Sequence, residues 1–165
     1  MSALDAMSEA DARAALARCC GATRWVDGML ARRPLGDRVI EHARAVWSTM
    51  ERADVLEAFD HHPRIGADVE KLRERFARTH DLSATEQAGV AGADEGVLER
   101  LRDANVAYEE RFGHIFIVCA TGKSASEMLG LLEGRMDNAP DDELAVAAAE
   151  QMKITEIRLG QLEPS

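Results

Sequence analysis

The chain has 165 residues, of which 46% are apolar and 4% aromatic. That is enough for one core without disulfide or metal staples, and it favours close helix packing over a β-sandwich. The net charge of −10 argues against a nucleic-acid binder, whose affinity rests on neutralising phosphates, and against docking on an anionic membrane.

Three cysteines, Cys19, Cys20 and Cys119, form no disulfide framework and fit a reducing cytoplasm. Met1 to Ala10 carries Asp5 and Glu9 and has none of the regions of a secretory signal. No apolar run reaches transmembrane length, and the final residues are not a peroxisomal tripeptide.

Ser8 predicts the cap of a first helix that runs through Ala14, Leu16 and Ala17 to Cys20, with Gly21 as its stop. A short helix with Trp25, Val26, Met29 and Leu30 follows and is broken by Pro34. Val39, Ala43, Val46, Trp47 and Met50 then fall at steps of three and four, the mark of a buried helical stripe. Val55, Leu56 and Phe59 make a further helix that delivers His61 and His62.

Pro63 pushes His62 out of helical geometry, and Arg64, Ile65 and Gly66 follow at once. A polar helix is expected from Asp68 toward Arg78. Ser83-Ala84-Thr85-Glu86 reads as a capping box that opens another, shortened by Gly89 and Gly92. Leu98, Leu101, Asn105, Tyr108 and Phe112 share one stripe that Gly113 ends; Asn105 needs a partner if buried.

His114 to Ala120 is the one β-like run. A single strand has nothing to pair with, so this is expected to be a buried extended connection, left at Gly122. Ser124-Ala125-Ser126-Glu127 is a second capping box. It opens a helix with Met128, Leu131 and Leu132 that ends near Arg135. Pro140 begins a last helix that reaches about Gly160. The fold class is all-α: one compact domain over residues 1–165, about eight helices, with one buried extended segment near residues 115–120.

Gly122-Lys123-Ser124 resembles the tail of a phosphate loop, but Ile117 stands where that motif needs glycine, so Ser124 is assigned to a helix cap. His61, His62, Asp60 and Asp68 lack the spacing of a zinc site, and no metal is expected. Cys119 lies in an apolar run, which makes a thiol inert. A histidine at a helix exit is more often structural than catalytic, and Glu86 has a purely structural role open to it in its capping box. Arg158 shares a stripe with Gln151 and Ile154 that should face inward, where it needs an anion from the protein or from a ligand.

Four blocks carry a resemblance. They are His62-Pro63-Arg64-Ile65-Gly66; Ser83 with Glu86-Gln87; Arg111-Phe112-Gly113 with Phe116 to Ala120; and Lys153-Ile154 with Arg158-Leu159. In order and spacing they resemble the 2-oxo-4-hydroxy-4-carboxy-5-ureidoimidazoline (OHCU) decarboxylases of urate breakdown, over nearly the whole chain. Some members carry Asp-Leu where this chain has Arg64-Ile65.

The resemblance implies an all-helical, cofactor-free homodimeric enzyme that converts OHCU to (S)-allantoin and carbon dioxide. It places the catalytic histidine at His62 and the following proline at Pro63. A substrate-contacting segment falls on Ser83, Ala84, Thr85, Glu86 and Gln87, with Glu86 catalytic. A second falls on Phe116, Ile117, Val118, Cys119 and Ala120, and the substrate-binding arginine is Arg158. Two rival readings stand beside it, and composition and periodicity alone fit the first just as well. The first is a non-enzymatic acidic helical adaptor or ligand-binding protein. The other is a metal-dependent hydrolase around His61, His62 and Asp68.

Overall fold

The computed structural model describes residues 1–62 and 95–163. Among these there are eight helices and no strand: α1 Ala3–Ala6, α2 Glu9–Cys19, α3 Thr23–Ala31, α4 Val39–Trp47, α5 Arg52–Asp60, α6 Glu95–Phe112, α7 Ala125–Arg135 and α8 Pro140–Leu162. The helix expected over 68–78, the capping box at Ser83–Glu86, and Pro63 to Gly66 lie outside the described residues. The chain divides into two compact units, Met1–His62 with Ala148–Ser165, and Pro63–Ala147.

In the first unit, Ser8 caps α2 as expected, its hydroxyl accepting from the Asp11 amide at 3.1 Å. The expected starting point was incomplete, because the short α1 precedes α2. Ser2 caps α1 from its own hydroxyl, and Asp5 closes the box. Asp5 reaches further, its two carboxylate oxygens accepting from the amides of Leu35 and Gly36 at 2.7 and 2.8 Å. The core is built from Leu4, Leu16, Trp25, Met29, Met152 and Leu159. Trp25 is wholly buried and donates its indole N–H to the Ala43 carbonyl at 3.2 Å, which meets the cost of burying that polar group.

In the second unit, Leu98, Leu101, Tyr108 and Phe112 bury one face of α6 against Met128, Leu129 and Leu132 of α7. Asn105 is buried on that face and satisfies itself by donating to the Leu101 carbonyl one turn back, at 2.8 Å. Leu131, expected on the apolar face of α7, is exposed, and Leu129 is buried in its place. The Ser124 hydroxyl caps α7 by accepting from the Glu127 amide at 3.1 Å.

Residues 115–120 have neither helix nor strand assignment, and Phe116 to Cys119 are buried. Gly113 and Gly122 flank the segment with φ of 78° and 75°, a region that favours residues without a Cβ.

Candidate functional site

The site in the first unit begins at the end of α5. His61 is the C-cap of that helix, and the amides of His61 and His62 still donate back, to the carbonyls of Ala58 and Phe59. Helical hydrogen bonding thus runs on through His62 before the chain reaches Pro63. The His61 side chain lies against Gly21. A Cβ added at Gly21 would sit 2.3 Å from the imidazole carbons of His61. Gly21 follows the C-cap Cys20 directly, so α2 stops where the sequence indicated. Cys20 closes α2 in extended geometry, and the missing side chain at Gly21 makes room for the histidine turn.

His62 is half-buried, and its Nε2 lies 2.5 Å from Oε1 of Gln151 on α8. The Gln151 amide N–H donates to Thr155 Oγ1 at 3.0 Å. Thr155 in turn reaches two carbonyls, its own helix's Gln151 at 3.0 Å and Cys19 at 3.3 Å. Gln151 and Thr155 have 0% and 1% of their surfaces exposed, so these polar groups have no water to turn to.

Three residues further on, Arg158 points its guanidinium at the carbonyls of Arg18 and Cys19, at 3.4 and 3.5 Å. Those are last-turn carbonyls of α2, the negative end of that helix, where a cation is favoured. Among the described residues no carboxylate pairs with Arg158. The Cys19 carbonyl thus gathers both Thr155 and Arg158. Burial pushes the thiols of Cys19 and Cys20 up to about 11 against the pull of the Arg158 charge, so both are neutral near pH 7.

The expected inward stripe of α8 is therefore present with a changed membership. Gln151 is wholly buried and Arg158 half-buried, but Ile154 is only half-buried while Thr155 is fully inside. The sequence reading passed over Thr155. Its signal was the step of four from Gln151 and of three to Arg158, which puts all three on one helical face.

Phe116 to Ala120 belong to the second unit, and Arg135 fixes them there. Its guanidinium donates to the Ile117 carbonyl at 2.8 Å and sits over the Phe116 ring at 4.5 Å. Arg135 is also ion-paired with Glu143, which is fully buried. Tyr108 packs edge-on against Phe116 with ring centroids 5.2 Å apart. Burial, with Glu143 beside it, raises the Tyr108 hydroxyl well above the ordinary tyrosine pKa. The Cys119 carbonyl accepts from the Lys123 ammonium at 2.7 Å. Nothing in the sequence reading singled out Arg135. Its mark was a charged residue in the last turn of α7, which the eye assigns to a helix end.

The structure thus brings His62, Gln151, Thr155 and Arg158 together around the end of α2. Pro63, Ser83, Ala84, Thr85, Glu86 and Gln87 lie outside the described residues.

The family model for OHCU decarboxylase matches residues 5–160, nearly the whole chain. The chain belongs to the OHCU decarboxylase family. It is 40% identical over 148 residues to an Arabidopsis thaliana protein named uric acid degradation bifunctional protein TTL, covering 87% of this chain and 45% of that protein. It is 38% identical over 73 residues to the 2-oxo-4-hydroxy-4-carboxy-5-ureidoimidazoline decarboxylase of Amia calva, covering 44% of this chain and 42% of that one. The matches therefore span under half the length of these curated relatives.

A crystal structure of OHCU decarboxylase in the presence of (S)-allantoin superposes with a TM-score of 0.70 at 37% identity, covering 88% of this chain and 94% of that one. A crystal structure of (S)-allantoin synthase gives a TM-score of 0.69 at 19% identity, covering 99% and 54%, and shares the fold. The all-α class read from the sequence agrees with these neighbours.

Proposed function

We propose that residues 1–165 form one decarboxylase domain that converts OHCU to (S)-allantoin and carbon dioxide in urate degradation, without a cofactor. The observation that carries this reading is the His62–Gln151–Thr155 chain, with Arg158 on the same face of α8. Membership of the OHCU decarboxylase family, whose model runs through both units, supports it.

The substrate's carboxylate sits on a carbon that bears a hydroxyl and adjoins a ring C=N. When the bond to the carboxylate breaks, its electron pair flows into that C=N, whose nitrogen takes up a proton, and carbon dioxide leaves. The hydroxyl-bearing carbon then becomes a carbonyl as its proton departs, and the neighbouring carbon gains a proton on one face. The substrate supplies its own electron sink. The protein has to supply orientation, charge stabilisation and proton transfer.

In this proposal Arg158 anchors a substrate oxygen by a charge-assisted hydrogen bond. Its grip on the α2 carbonyls leaves it without a carboxylate among the described residues. His62 engages the hydroxyl beside the leaving carboxylate and moves its proton, a task suited to an imidazole. Glu86 and Gln87 hold the ureido and ring N–H groups. Pro63, Ser83, Ala84, Thr85 and the segment Phe116, Ile117, Val118, Cys119 and Ala120 shape the rest of the substrate site. The assembly is a homodimer and the compartment the cytoplasm; sedimentation of the purified chain tests the first and cell fractionation the second.

The deciding experiment generates OHCU enzymatically and follows (S)-allantoin by circular dichroism. Because OHCU decays by itself to racemic product, the optical signal separates catalysis from background. Wild type should give a fast S signal, and His62→Ala should lower kcat by about 10²- to 10⁴-fold with the fold retained. No acceleration over buffer by wild type would sink the reading.

A further inference from the structure

We propose that Gln151, seated by Thr155, is a positioning residue that holds the His62 ring in its Nε2–H tautomer and so makes Nδ1 the nitrogen that exchanges protons. The inference deepens the decarboxylase reading and, for its consequence in catalysis, rests on it.

A backbone carbonyl only accepts. Thr155 Oγ1 has a single proton, and the carbonyls of Gln151 and Cys19 lie 3.0 and 3.3 Å away to take it. Having given that proton, Oγ1 accepts from the next group, which is the Gln151 amide nitrogen at 3.0 Å. The amide is thereby turned with its oxygen toward His62. An amide oxygen carries no proton, so the Nε2 at 2.5 Å has to carry one.

Reversing the amide would make Thr155 donate to Gln151 Oε1 and surrender both carbonyl contacts. Burial at 0% and 1% exposure leaves no solvent to replace them. The nearby thiols do not disturb this order. Cys20, whose sulfur faces Thr155, is pushed by burial to about 11 and stays neutral near pH 7.

With Nε2 committed, the neutral imidazole has its basic lone pair on Nδ1. When Nδ1 takes a proton, Nε2 keeps its own proton and its contact to Gln151. The ring therefore cycles between neutral and charged without turning. At Nε2 the arrangement uses a neutral amide oxygen, where many histidine sites use a carboxylate.

The test reads the imidazole by 15N NMR in the full chain without substrate, the His62 signals being those lost in His62→Ala. Wild type should show Nε2 protonated and Nδ1 bare at high pH. Gln151→Glu should raise the His62 pKa by about one unit or more, whereas a residue that merely fills space would leave it in place. Thr155→Val should give mixed tautomers, and Thr155→Ser should restore the single one.

In the OHCU assay, Gln151→Leu should lower kcat by about 10- to 100-fold with KM little changed, and Gln151→Glu should move the pH profile of kcat with the NMR value. An Nδ1–H tautomer in wild type overturns the proposal. So does an unmoved pKa in folded Gln151→Glu. Should that variant not fold, a single unchanged tautomer in Thr155→Val overturns it. The right tautomer in a protein without decarboxylase activity would remove the function and leave the positioning; an active enzyme with the wrong tautomer would do the reverse.

Discussion

A single missing methyl group decides how the histidine turn is seated. Gly21 follows α2 directly, and the imidazole of His61 occupies the space its side chain would take. In Gly21→Ala, a Cβ 2.3 Å from the ring forces His61, and with it the adjoining His62, to shift. Overpacking of this kind costs about 1–3 kcal/mol. Misplacing a reacting group by an ångström costs on the order of 10²-fold in rate. The expected outcome is a lower melting temperature together with a kcat loss larger than that of a surface control such as Gly96→Ala, where nothing lies within 4 Å of the added carbon. Wild-type kcat in Gly21→Ala would show that the turn is seated by other contacts.

Two elements are held by charged groups that join distant parts of their own unit. Asp5 ties α1 to the chain after α3. Partial burial works to raise its pKa, but the amides of Leu35 and Gly36 and the Ser2 contacts outweigh it, and the net shift is downward from 3.8. A carboxyl depressed in the folded state gives stability that is fully present above its unfolded pKa and lost as pH falls through the folded one. Asp5→Asn should therefore melt below wild type at pH 7. The gap should narrow once the pH drops under 3.8, a trend that thermal melts across pH 2–7 will show or refute.

In the second unit, Arg135 links the end of α7 to the start of α8 through Glu143 and holds the Ile117 carbonyl. Removing one partner of a buried pair strands the other charge, at about 3–5 kcal/mol. Arg135→Ala should lose stability of that order in urea unfolding. Arg135→Met combined with Glu143→Leu should recover much of it, because no charge then stays buried. Equal losses in both variants would mean that the pair is not what stabilises the segment.

For the molecule as a whole, the net charge of −10 repels anions at long range, so under the decarboxylase proposal the anionic substrate is gathered locally, with Arg158 as its anchor. If the decarboxylase reading holds, (S)-allantoin binds the native chain and stabilises it by mass action, by about 2.7 kcal/mol at a concentration 100-fold above Kd. Calorimetric melting with (S)-allantoin, and with its R enantiomer as control, should show a shift for the S form. Arg158→Met should abolish it. Among the described residues no helix is long and apolar enough to cross a membrane.

What the sequence determined by itself is local. The spacing of Leu98, Leu101, Tyr108 and Phe112 defines α6 because a helix repeats its own geometry, and Ser8 and Ser124 mark starts because a cap bonds three residues ahead. Even buried Asn105 is solved within its own helix. The family's blocks were legible for the same reason, as short runs at fixed spacing. Periodicity reports which face is buried but not what lies opposite. Gln151 meets His62 across 89 positions and Thr155 meets Cys19 across 136. Gly21 is occupied by a ring 40 residues away by number, and reads in sequence as an ordinary helix stop. Those pairings follow from how helices are stacked, and only the tertiary structure decides them.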